Sequence, residues 1–354
     1  MSENLTAMTA EEMNLQSTYK RVKGSYNWAG GLMLIQFAII MFVSFFGNMV
    51  GSVVMSVQIA MQGVTDPAEM QEKLMEGVTS PFYLLIMNTL AYLIANTVCF
   101  FISKLASKNV YPAKVFGKSA ISPLDGLLCV LTVLGLQGLS MFIQVAIMNI
   151  TGVTGVNEQA QAMMSFSDDI KHNVLMIIYF VFIAAITEEL LIRGGVMKLL
   201  SPVSKPFAVI ASAILFGLMH GNFNQMFNGF LLGLAIGYAA MKSRSLWVPI
   251  VCHMCANAAA MVLSYFEYSV GESFGTIEFI YAGIILVIGA AAAVLLYKRN
   301  GKVTEEDGFP CEGAPVIADE GKKFTWKAFV KSPTVWITAV IYIIYGISSL
   351  TAIK

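Results

Sequence analysis

The chain has 354 residues, 57% of them hydrophobic and 12% charged, with a mean hydropathy of +0.70. Soluble domains carry about 25% charged residues, so an ordinary water-soluble globule is excluded and lipid is the expected solvent. Basic and acidic residues balance at 22 each, which excludes a global field that would gather nucleic acid. Cys99, Cys129, Cys252, Cys255 and Cys311 are scattered and odd in number, which excludes a disulfide framework.

In chain order, residues 1–27 form a polar N-terminus without the short apolar run of a cleaved signal peptide. A spanning helix needs about 20 mostly apolar residues. Such runs lie near 28–61, 81–105, 122–149, 173–198, 205–221, 223–241, 246–266, 275–297 and 334–352. The fifth is short and merges with the sixth through Gly221 and Asn222. The ninth follows a polar linker, 299–332, and is the most separable. The predicted fold is all-α: a polytopic transmembrane helical bundle of about eight core spans over 28–298, plus a ninth span in 333–354.

The loops support this count. Lys20, Arg21 and Lys23 precede the first span, and Lys104, Lys108, Lys114 and Lys118 follow the second. Arg193, Lys198 and Lys205 follow the fourth, Lys242 and Arg244 the sixth, and Lys298, Arg299 and Lys302 the eighth. The alternate loops hold Asp66, Glu69, Glu72 and Glu76, then Asp168 and Asp169, then Glu267 and Glu272. Basic loops mark the cytoplasmic side, so the N-terminus is expected there, in a plasma membrane.

Ionisable residues inside spans are rare and point to function. The fourth span carries Glu188-Glu189-x-x-x-Arg193. Glu189 and Arg193, four apart, share a helix face and pair. Glu188 points roughly 140° away from Arg193 on a regular helix, which leaves its carboxylate free for other work, such as activating water. Alternatively, all three form a structural polar knot. Of the three histidines, His172 lies in a polar loop and reads as a surface imidazole. His220 ends the fifth span in Phe216-x-x-x-His220, and the seventh carries His253-x-x-x-Asn257 on one face. Cys252 and Cys255 read as packing residues, as does the Gly229, Gly233, Gly237 stripe. Asn222, Asn224, Gln225 and Asn228 form a polar face that either lines a path for water or substrate or satisfies backbone at a helix break.

These three motifs, intact and in order, resemble the CPBP family: the CAAX proteases and bacteriocin-processing enzymes, also called Abi or type II CAAX prenyl endopeptidases. The resemblance covers about residues 122–266. It implies an intramembrane endopeptidase that cuts peptide or lipidated protein substrates, prenylated CAAX-type proteins or bacteriocin and signalling peptides, in a cavity open to the cytoplasm. It also implies residue roles: Glu188 activates water, His220 helps position it, His253 and Asn257 steady the oxyanion, and Arg193 orients Glu189. Bacterial relatives and the short loops suggest a bacterial chain. Whether a divalent metal such as zinc takes part is left open. Glu188, His220 and His253 would supply three ligands, yet the helical H-E-x-x-H signature is absent.

Depth sets one test. A straight fifth span puts His220 about 22 Å from Lys205, near the outer face, whereas Glu188 falls in the cytoplasmic half. The roles require the two to meet. Competing readings are a non-catalytic immunity or scaffold protein of the same fold and a transporter. Transporters show repeats with broken helices in both halves, whereas the polar groups here lie in one half.

Overall fold

The structure, a computed structural model, describes residues 10–107, 114–151, 158–271, 274–310 and 325–351. Cys311, Lys108, Glu272, residues 1–9, the linker portion 311–324 and the last three residues of the 333–354 segment lie outside these. The molecule is a polytopic helical membrane bundle. Its helices are α1 (Ala10–Met61), α2 (Pro67–Thr79), α3 (Pro81–Ser107), α4 (Pro123–Thr151), α5 (Glu158–Met164), α6 (Ile170–Leu200), α7 (Lys205–Leu218), α8 (Phe223–Ser243), α9 (Trp247–Val270), α10 (Phe274–Asn300), α11 (Thr325–Val330) and α12 (Pro333–Thr351).

Each apolar run of the sequence lies on a helix of its own. Among the described residues, six helices are long and apolar enough to cross a membrane: α1, α3, α4, α6, α9 and α10. The other three runs became α7, α8 and α12. With 14 residues, α7 rises about 21 Å, short of a hydrocarbon core of about 30 Å. The turn after it therefore stands within the membrane's depth. Its backbone is satisfied locally: the His220 amide donates to the Gly217 carbonyl (3.2 Å), Gly221 to Leu218 (3.1 Å) and Met226 to Asn222 (2.7 Å).

Two expectations need correction. Residues up to 27 are not a separate polar tail: from Ala10 they are continuous with α1, and Val22, Tyr26 and the Ser25 hydroxyl are buried. The ninth apolar run is not separable either. Along α12, the Thr334 and Thr338 hydroxyls donate to the Asn27 and Gly30 carbonyls (2.8 and 2.9 Å), and the Tyr342 hydroxyl donates to Gln36 Oε1 (2.5 Å). The partners advance in the same order on both helices, so α12 runs parallel to α1. Two spans running in the same direction require an odd number of crossings between them, and the apolar runs number seven between the first and the ninth.

The ends that carry basic loops are tied together. The Ser25 hydroxyl donates to Leu199 O, the Ala120 amide to Ser243 O, the Leu246 amide to Val115 O, and the Gly308 amide to Met241 O. Lys242 pairs with Asp307 at 2.8 Å. On the opposite end, the Tyr268 hydroxyl donates to Asp168 at 2.6 Å. The bundle thus has one basic and one acidic end, as the loops predict.

Candidate active site

Helix α6 supplies the carboxylates, and it is irregular on both sides of them. Ile178–Ala184 and Ile192–Val196 are wound as π-helix, with the regular turn Ala185–Leu191 between. Such wider turns free carbonyls and frequently mark functional sites. Inside the regular turn, the four-residue spacing pairs Glu189 Oε1 with Arg193 Nη1 at 3.2 Å, and both side chains are fully buried. The guanidinium also donates from Nη2 to the Gly233 carbonyl of α8 (3.2 Å) and lies 4.7 Å over the Phe216 ring of α7.

Helix α9 brings His253 between the two carboxylates. Its Nδ1 is 2.9 Å from Glu189 Oε1, and its Nε2 is 3.9 Å from Glu188 Oε2. A carboxylate accepts, so Nδ1 carries the hydrogen in this pair. Nε2 is then turned toward Glu188. One turn along α9, Asn257 Nδ2 donates to the Phe180 carbonyl at 2.7 Å. That carbonyl belongs to the first π-helical segment. No sequence pattern marks π-winding, so this partner was not readable in advance. Glu189 Oε2 and Arg193 Nε have no protein hydrogen-bond partner.

His220 enters through Phe216. Its ring meets Phe216 edge to face at 5.0 Å, and Phe216 meets His253 in the same way at 5.7 Å. One aromatic ring thus links both imidazoles and the Arg193 cation. His220 Nδ1 donates to the Phe216 carbonyl at 2.8 Å, which leaves its Nε2 as an acceptor. Counted from the basic end, Glu188 stands about 18 Å up α6 and His220 about 22 Å up α7. Gly229 of α8 faces His220, where a Cβ would stand 3.0 Å from its ring.

The zinc option does not fit this arrangement. Among the described residues, no three His, Cys, Asp or Glu side chains are grouped closely enough to hold a metal ion. Glu188 and His253 face each other, but His220 is bound to its own helix and stands beyond Phe216. His172 also departs from expectation. It is buried, with Nε2 3.3 Å from the Ser165 carbonyl, because the start of α6 folds it under the preceding loop. Cys252 is buried in packing, as expected.

Residues 170–259 match the family model described as type II CAAX prenyl endopeptidase Rce1-like. This segment is similar to the Rce1-like family. It runs from the start of α6 into α9, so it holds Glu188, Glu189, Arg193, His220, His253 and Asn257. Helices α1, α3, α4, α10 and α12 lie outside the Rce1-like match. No curated protein and no solved structure matches the chain.

Proposed function

We infer that the chain is an intramembrane endopeptidase of CAAX type that hydrolyses peptide bonds of membrane-associated substrates with a glutamate-activated water. The observation that carries this reading is the division of labour between the carboxylates. Glu189 is committed to Arg193 and His253, whereas the Glu188 carboxylate stands 3.9 Å from His253 Nε2. That gap is too long for a direct hydrogen bond and suits a water held by both groups from the side.

In the mechanism, the water oxygen attacks the scissile carbonyl carbon and its proton passes to Glu188. The oxyanion that forms needs donors. With Nδ1–H held by Glu189, His253 donates from Nε2 only as an imidazolium, and Glu189 stabilises that cation as the acid of a hydrolytic triad does. Asn257 Nδ2 has a second hydrogen beyond the one given to Phe180, and it is the other donor. Collapse breaks the C–N bond, and the Glu188 proton leaves with the amine. His220 Nε2 accepts a hydrogen bond from water or substrate at the other side of Phe216. The turn within the membrane's depth, with Gln225 and Asn228 on its polar face, is the entry for water.

The test compares membrane and secreted peptides by mass spectrometry in cells expressing wild type or Glu188→Gln at matched levels. Loss of specific cleavages in the variant supports the peptidase, and a drop of about 10² to 10⁴ in rate is expected for a lost general base. Identical peptide sets, with a phenotype only on deletion, would favour the immunity or scaffold reading.

A further inference from the structure

The Rce1-like segment contains the six motif residues, but not everything that holds them. Four buried polar side chains form a directed chain from α12 into α6. The Tyr342 hydroxyl donates to Gln36 Oε1 of α1 (2.5 Å), Gln36 Nε2 donates to Asn96 Oδ1 of α3 (3.1 Å), and Asn96 Nδ2 donates to Thr187 Oγ1 (3.1 Å). The Thr187 hydroxyl leans on the Ala184 carbonyl at 3.4 Å. All four side chains are buried. Thr187 immediately precedes Glu188. In a regular helix the Ala184 carbonyl is the acceptor for the amide four residues on, that of Glu188. The chain of bonds therefore ends where the winding of α6 changes from π to α and the glutamate turn begins.

A second contact leaves the same helix. Tyr345, three residues beyond Tyr342 and hence on the same side of α12, lies against Gly221, which has φ +57°. Gly221 follows His220. One face of α12 thus reaches both arms of the site: the glutamate turn through Gln36 and Asn96, and the histidine turn directly. Hydrogen bonds between membrane helices add little beyond apolar packing, so stability alone does not account for four polar side chains in series. Aligned donors polarise one another and hold a single rotamer at each step, which is what placing a carboxylate requires.

We propose that α12 is a positioning element of the site, with Tyr342, Gln36, Asn96 and Thr187 as positioning residues that set the Glu188 turn, and Tyr345 bracing the His220 turn. The proposal rests on the peptidase reading for its catalytic consequence, but its structural content stands apart from it.

The full-length protein in lipid nanodiscs is assayed with a quenched fluorescent peptide ending in a farnesylated C-a-a-X motif and with the same peptide unprenylated. Hydrogen exchange of residues 184–192 is followed in parallel. Tyr342→Phe removes the first bond of the chain and Thr187→Val the last two, the one accepted from Asn96 and the one given to Ala184, and both keep the side-chain volume. We expect kcat to fall by about 10-fold with KM unchanged, the unfolding temperature to be retained, and exchange over 184–192 to quicken. Thr187→Ser, which keeps the hydroxyl, should recover most of the loss seen in Thr187→Val. Wild-type kcat and exchange in both variants would overturn the proposal and leave α12 as an anchor. If the wild type cuts neither peptide, CAAX-type cleavage fails. Exchange over 184–192 then decides the proposal alone: faster in Tyr342→Phe supports it, and unchanged overturns it.

Discussion

Among single residues, Arg193 has the most to lose. Its cation is fully buried and is met by Glu189, the Gly233 carbonyl and the Phe216 face. Removing one member of a buried pair leaves the other charge uncompensated, at about 3–5 kcal/mol. Arg193→Met should lower the unfolding temperature markedly and abolish cleavage, as read by thermal unfolding in detergent. The pair Lys73–Glu69 on α2 is the contrast. At 2.9 Å its geometry is no worse, but both side chains are more than two-fifths exposed. Lys73→Ala should change stability by less than about 1 kcal/mol, since solvent screens such pairs. Distance alone does not rank the two; burial does.

At the scale of elements, the site depends on how close helices come. Helix α8 approaches α7 through glycines, and at Gly229 a Cβ would stand 3.0 Å from His220 and 3.2 Å from Gly217 Cα. The Gly217 backbone gives way less readily than a side chain. Gly229→Ala should therefore cost about 1–3 kcal/mol and turn the His220 ring, with the rate falling more than stability alone explains. Measuring kcat beside the unfolding temperature separates the two effects. The π-wound stretches of α6 act at the same scale. They offer the Phe180 carbonyl to Asn257 and set the register in which Glu188 and Glu189 meet His253 from two sides.

Across the whole molecule, the segment after α10 folds back over the basic end. The Thr304 amide and hydroxyl and the Lys242 ammonium all donate to Asp307 Oδ2. Burial raises the Asp307 carboxyl, but these donors outweigh it and hold it below the ordinary aspartate value. Its folded pKa is thus lower than its unfolded one. Its contribution is complete above the unfolded value, about 3.9, and is lost as pH falls through the folded value. Hydrogen exchange over 301–310 should quicken on acidification below about pH 4. In Asp307→Asn it should be fast already at neutral pH. An acid transition that survives in the variant would assign it to another group.

The sequence by itself determined the solvent, the number and placement of the apolar helices, the alternation of their ends, and one pairing in the site. Each of these is local: hydrophobic length decides a span, loop charge decides an end, and a four-residue interval puts Glu189 beside Arg193. It also held the motifs that resemble the CAAX proteases, read from order and spacing. Only the tertiary structure decided what depends on residues far apart in the chain. The approach of His253 to Glu188 and Glu189 spans more than sixty positions. The ring contacts that set His220 and His253 on either side of Phe216 join α7 to α9. Helix α12 looked detachable because a polar linker precedes it, yet its hydroxyls find carbonyls on α1 some three hundred residues earlier. Such bonds follow no period in the sequence, because a buried donor needs an acceptor of the right geometry and not one at a particular distance along the chain.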